Sequence, residues 1–226
     1  MSIDLADRPA GLMIGAASVL MTVALVFHPM AEPGSPAQVL SQIAAARLVD
    51  GIVHGTIIGL YILLLAGFAR FAARLGLDRP ETVLGFACLA LACVAVLGAT
   101  LLDGFVTPDL AVRLADADPG RIEAAATVML LVSTAIQDLT KLALVLQAAA
   151  TIAWSLPLLT ADRRGTGVVG IGAGVLLLAI ILGANPRLMP HLLIGVLAIQ
   201  GAWNLCVAAL LLGWGTTREA LDKQPG

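Results

Sequence analysis

Six predominantly apolar runs, each of about 18 residues or more, constrain this chain more than any other feature. They cover approximately residues 10–28, 44–69, 82–105, 121–157, 167–184 and 190–213. A helix rises about 1.5 Å per residue, so about 20 residues cross a hydrocarbon core of about 30 Å. Inside such a core every backbone N–H and C=O must be paired within the segment, and a helix does this alone. Composition agrees: 59% of the residues are hydrophobic and only 12% charged, against roughly 25% charged in soluble domains, and the mean hydropathy is +0.97. The sequence predicts an all-α integral membrane protein, a six-transmembrane-helix bundle forming one domain over residues 1–226, with the lipid bilayer around it.

The segments between the runs are short and rich in proline, glycine and charge, at 29–36, 70–81, 107–120, 161–165 and 185–189, and read as loops. The leading segment carries Asp4 and Asp7 against one Arg8, and no small-residue cleavage site follows Phe27. The first run is therefore expected to be a span and not a signal peptide. If the N-terminus is cytoplasmic, one face holds Arg8, Arg70, Arg74, Arg79, Arg163, Arg164, Arg218 and Lys223. The other holds Arg47, Arg113, Arg121 and Arg187. The bias toward basic residues inside places both termini in the cytoplasm, and the short-looped plan suits a multi-pass protein of a bacterial inner membrane. A net charge of -2 without a basic block excludes nucleic acid as a partner.

The second run opens with Arg47-Leu-Val-Asp50-Gly51-Ile-Val-His54-Gly55, continuing to Gly59. At 100° per residue, Arg47, Asp50 and His54 fall within about 60° of one another on a helix. Gly51, Gly55 and Gly59 form an adjoining stripe that would admit another helix closely, including one from a second copy or from a membrane-complex partner. An ionisable group costs about 2.5–3.5 kcal/mol at mid-membrane, so such side chains are expected to point into the bundle or a wet cavity. The structural alternative is an Arg47/Asp50 pair at a helix end, with His54 hydrogen-bonded inside the bundle.

The fourth run starts at Asp118-Pro119-Gly120, a capped helix start, and meets no breaker until Pro157. Its roughly 36 residues would reach about 54 Å, so its first turns are expected to project beyond the core. With the charged loop 107–120 they could form a lid. The same run carries Gln137, Asp138 and Lys141, and the last two, three apart, could pair on one helix face.

In the predicted orientation the polar side chains gather toward the outer face. His28 closes the first span, Arg47, Asp50 and His54 lie in the outer third of the second, and Asp103 ends the third. Asp138 and Lys141 occupy the outer half of the fourth, and Asn185, Arg187 and His191 the turn between the last two. Gln200 and Asn204 lie deeper. Histidine with a carboxylate suits zinc or another divalent metal, so His28, His54 and His191 are the candidate metal ligands. The mirrored triplets His28-Pro29-Met30 and Met189-Pro190-His191 add thioethers that would suit copper. Haem would need two axial histidines on facing helices. Cys88, Cys93 and Cys206 lie in apolar runs and read as small buried hydrophobes.

The expected function is binding or transport of a small cation, proton or metal at an outward-facing polar site. Arg47, Asp50, His54, Asp103, Asp138 and Lys141 would build it, and Gln200 and Asn204 would continue it inward. Two other classes fit the same residues. One is a metal-dependent intramembrane enzyme. The other is a structural or assembly subunit in which charged pairs and glycine stripes specify packing.

Overall fold

A computed structural model describes residues 7–114, 117–160, 163–183 and 187–213. Asp4, Asn185, Arg218 and Lys223 lie outside the described residues. The described chain is helical: α1 Asp7–Val26, α2 Pro36–Leu75, α3 Pro80–Leu101, α4 Thr107–Leu114, α5 Pro119–Leu159, α6 Arg164–Leu178 and α7 Pro190–Leu212. Wider π turns at Leu102–Val106 and Ala179–Gly183 extend α3 and α6. Six of these segments are long and apolar enough to cross a membrane. Their outward faces carry Leu12, Ile62, Leu91, Val94, Leu131 and Val175, all exposed, the side chains that lipid would cover in a bilayer.

Several boundaries differ from the sequence expectation, each for a local reason. Helix α2 begins at Pro36, well before residue 44, because Ser35 and Gln38 form a capping box: the Ser35 hydroxyl accepts from the Gln38 N–H and the Gln38 side chain accepts from the Ser35 N–H. These bonds satisfy donors that the first helical turn leaves open. The helix stops at Gly76, whose φ of 101° suits glycine, with its N–H donating to the Ala72 carbonyl. Helix α5 runs through Pro157 to Leu159, two residues past the expected stop. Segment 107–120, expected as a loop, contains α4.

Each membrane-length helix packs against the next, α3 against α5 across α4, and α1 closes the circle onto α7. The result is a ring built from three hairpins, α1–α2, α3–α5 and α6–α7. One end of the ring is shut by stacked aromatics, and each hairpin supplies one to the stack. Phe68 lies 5.0 Å from Trp154 and 5.6 Å from Trp203, with the planes 6° and 8° apart, and Phe71 meets both Trp rings edge-on. Trp154 is 1% exposed and donates its indole N–H to the Thr82 carbonyl at 3.1 Å. This is the closed end.

At the opposite end α2 and α5 continue well past what a core needs, with 40 and 41 residues. Their first turns and α4 share a small core of Leu40, Ala111, Leu114 and Ala125. Of the stretch expected as a lid, α4 packs against α2 and α5, while Thr107 and, from the first turns of α5, Ala126 and Met129 line the cavity at this end.

Two glycine sites separate packing from decoration. A Cβ on Gly85 would press on the Trp154 indole at 2.7 Å, whereas one on Gly59 would meet nothing within 4 Å. Gly85→Ala should therefore cost about 1–3 kcal/mol by overpacking, seen as a lower midpoint in detergent unfolding. Gly59→Ala should match or exceed wild type, since alanine is the better helix former. Equal midpoints for the two variants would show that the Trp154 contact does not limit packing.

Candidate functional site

The open end of the ring holds a cavity of about 620 Å³, with His28, Asp103, Thr107, Ser133, Gln137, Thr140 and Arg187 among apolar walls. Below it a narrower space of about 110 Å³ is bounded by His28, His54, Tyr61, Thr100, Asp103 and Thr140. The two share Leu25, His28, Asp103, Ile136, Thr140 and Leu193, so His28 and Asp103 stand with these side chains at the boundary between them.

There, three helices bring three donor atoms together. His28 follows the end of α1, His54 lies within α2, and Asp103 sits in the π turn after α3. Asp103 Oδ2 is 3.3 Å from His54 Nε2 and 3.4 Å from His28 Nε2. The two imidazole centroids are 4.9 Å apart, with the rings tilted by 72°. Each residue offers one ligand atom, and the three atoms lie within 4.8 Å of one another. Among the described residues this is the one such histidine–carboxylate cluster.

The surroundings fix the orientation of His54. Its Nδ1 lies 2.9 Å from the Asp50 carbonyl oxygen. A carbonyl only accepts, so Nδ1 carries the proton and donates, and in the neutral ring Nε2 presents its lone pair to Asp103. The Asp50 carboxylate stands 3.3 Å from the same Nδ1. A ligating histidine held through its other nitrogen by a carbonyl or carboxylate is the usual second layer of a metal site. His28 Nδ1 is buried and has no hydrogen-bond partner among the described residues.

Backbone geometry makes the approach possible. The π turn is closed by Thr107, whose hydroxyl donates to the Leu102 carbonyl at 2.8 Å and whose N–H reaches the same oxygen. Single π turns are often found at functional sites. Gly104 lies directly against His54: a Cβ there would collide with the imidazole ring. Neither the turn nor the role of Gly104 was read from the sequence. Its one signal is adjacency to Asp103.

The remaining sequence candidates lie elsewhere. Arg47 points out of the ring, its side chain 58% exposed, and pairs with Asp109 at 2.8 Å. Asp138 is exposed and Lys141 half-buried on α5, and neither lines the two spaces just described. His191 is exposed at the start of α7 and is not in the cluster. The histidines of the two mirrored His-Pro-Met triplets therefore do not share this cluster.

Gln200 and Asn204 are buried toward the closed end. Gln200 donates to Thr151 at 2.9 Å and to Asn204 at 3.2 Å, and Asn204 donates to Ser18 at 3.0 Å. Between this network and His54, Gln147 donates to the Tyr61 hydroxyl at 3.1 Å. Tyr61 is the chain's single tyrosine and falls seven residues after His54, a spacing that keeps both on one helix face. At the cavity mouth, the Gln137 amide donates to the Leu188 carbonyl at 3.1 Å and accepts from its N–H at 2.8 Å, tying α5 to the segment before α7.

Fold and cluster together define a class: a helical protein, multi-pass by the length and composition of its spans, whose ring encloses two histidines and a carboxylate beneath an open cavity. Compared with protein-family models, with curated proteins and with solved structures, the chain matches none of them.

Proposed function

We propose that this protein binds a divalent transition-metal ion at His28, His54 and Asp103, entering from the cavity. The observation that carries the reading is the convergence of two imidazole nitrogens on one carboxylate oxygen at 3.3 and 3.4 Å. Lone pairs directed at one another repel unless a positive charge lies between them. Either a proton on a ring or a metal ion supplies it, and two nitrogens with one oxygen are a donor set suited to zinc or Fe(II). Ligands placed about 2.0–2.1 Å from a tetrahedral ion are about 3.3 Å apart, which the two nitrogen–oxygen separations match, and all three donor atoms lie within 4.8 Å of one another. Haem finds no support, because both imidazoles approach the same carboxylate with no room for a macrocycle between them.

In this reading both termini are cytoplasmic and the cavity faces outward, in the inner membrane of a bacterium. Arg70 and Arg74, paired with Asp7 at the closed end, follow the inside bias of basic residues. Inward passage is a second reading, favoured by the polar side chains that continue from Tyr61 and Gln147 to Gln200, Asn204 and Ser18.

A titration of zinc into the purified protein in nanodiscs tests the proposal. His28→Ala should weaken binding by more than the roughly 10- to 100-fold typical of losing an outer-layer partner, since it removes one of the three donors, while His191→Ala should leave it unchanged. Equal weakening in both, or in neither, would contradict the assignment. Binding should also decline as the solution is acidified, because an imidazole must be deprotonated to donate to a metal.

A further inference from the structure

An ion alone does not account for the space above it. The cavity of about 620 Å³ would hold about twenty waters at roughly 30 Å³ each, and it falls within the roughly 300–1,000 Å³ range of organic-ligand sites. Its walls divide by chemistry. Val39, Leu40, Ile43 and Met129 make apolar sides, and Leu25, Ile136 and Leu193 surround the base. The polar side chains at the base are His28, Asp103 and Thr140, and one guanidinium, Arg187, is the only Lys or Arg on the lining among the described residues. Three protein ligands leave a four- or five-coordinate ion one or two positions, and the 620 Å³ space adjoins the two ligands at its base.

We infer that the cavity binds a small anionic amphiphile whose oxygen head group coordinates the ion and whose apolar body lies along Ile43 and Met129. This rests on the metal reading and adds the second ligand. The head group replaces water on the ion, with no bond in the amphiphile broken. Arg187 at the mouth favours a negative charge on the incoming molecule, and the apolar sides favour a hydrocarbon body over a sugar or nucleotide.

Cobalt(II) substituted for zinc gives visible ligand-field bands that report on coordination, and alkyl hydroxamates of increasing length are the probe. With the full chain in nanodiscs, each hydroxamate should shift the cobalt bands. Affinity should rise about four-fold per added methylene, the gain for burying one CH₂, until the cavity is filled. Ile43→Trp and Met129→Trp, each filling part of the space, should flatten that dependence while leaving the bands of the hydroxamate-free protein unchanged. Cobalt bands with the same affinity for acetohydroxamate and hexanohydroxamate would overturn this inference and leave the metal site standing. A length dependence that both tryptophan variants retain would overturn it as well. Absence of any cobalt bands would overturn both.

Discussion

His54→Ala is expected to abolish tight metal binding, lowering the affinity for zinc by more than about 100-fold, because removing a ligand costs more than the 10- to 100-fold typical of its outer-layer partners. The residue is 3% exposed, so its loss also leaves Asp103 facing His28 alone, with two protein donors. Gly104→Val should reach the same endpoint by another route. All three proposed ligands remain in the sequence, but the new side chain occupies the place of the His54 ring and pushes the helix pair apart. Isothermal titration of both variants against wild type checks the pair. Tight binding by Gly104→Val would mean that His54 can ligate from a different rotamer, contrary to the geometry described here.

Trp154→Ala is expected to be the most destabilising single change outside the site. In soluble cores, truncating a buried tryptophan costs about 3–5 kcal/mol. Between membrane helices the packing part of that sum remains while the hydrophobic part is small, because the alternative surroundings are also apolar. A loss of about 3 kcal/mol follows, to which the stacked contacts with Phe68 and Trp203 contribute about 0.5–1.5 kcal/mol each. The Thr82 carbonyl would also lose its indole donor. Unfolding in mixed micelles measures the effect, and Leu156→Ala, on an exposed face of the same helix, should change little. If the inward path conducts, Trp154→Ala proteoliposomes should also pass zinc faster than wild type, since the stack is what closes the ring beneath the polar side chains.

The six membrane-length helices were legible in the sequence because a span must be apolar along about 20 residues, a signal that tertiary packing cannot override. The ends of the helices were less so. Residues 36–43 look like a polar continuation of the loop, and only the reciprocal Ser35 and Gln38 bonds turn them into the start of α2. Helical periodicity placed Arg47 on the face of His54, yet seven residues are about 10 Å along the axis. That distance carries Arg47 past the ring to the outside, where Asp109 meets it.

For the site, residue types pointed to His28, His54 and Asp103, but spacing could not join them. They are separated by up to 75 residues and lie on or just beyond three helices whose mutual register is set by contacts such as Trp154 on Gly85 and Gln147 on Tyr61. His191 had equal standing by residue type, and α7 leaves it exposed. The π turn that presents Asp103 has no sequence signature, because it differs from α-helix by one residue in register.

The most direct test of the central claim is X-ray absorption at the zinc edge on protein loaded with one equivalent of zinc and dialysed. The account predicts that about one zinc is retained, with nitrogen and oxygen neighbours at about 2.0–2.2 Å and the outer-shell scattering of two imidazoles. Loss of the metal on dialysis would contradict it, and so would a shell of sulfur at about 2.3 Å, which would place the ion on cysteine.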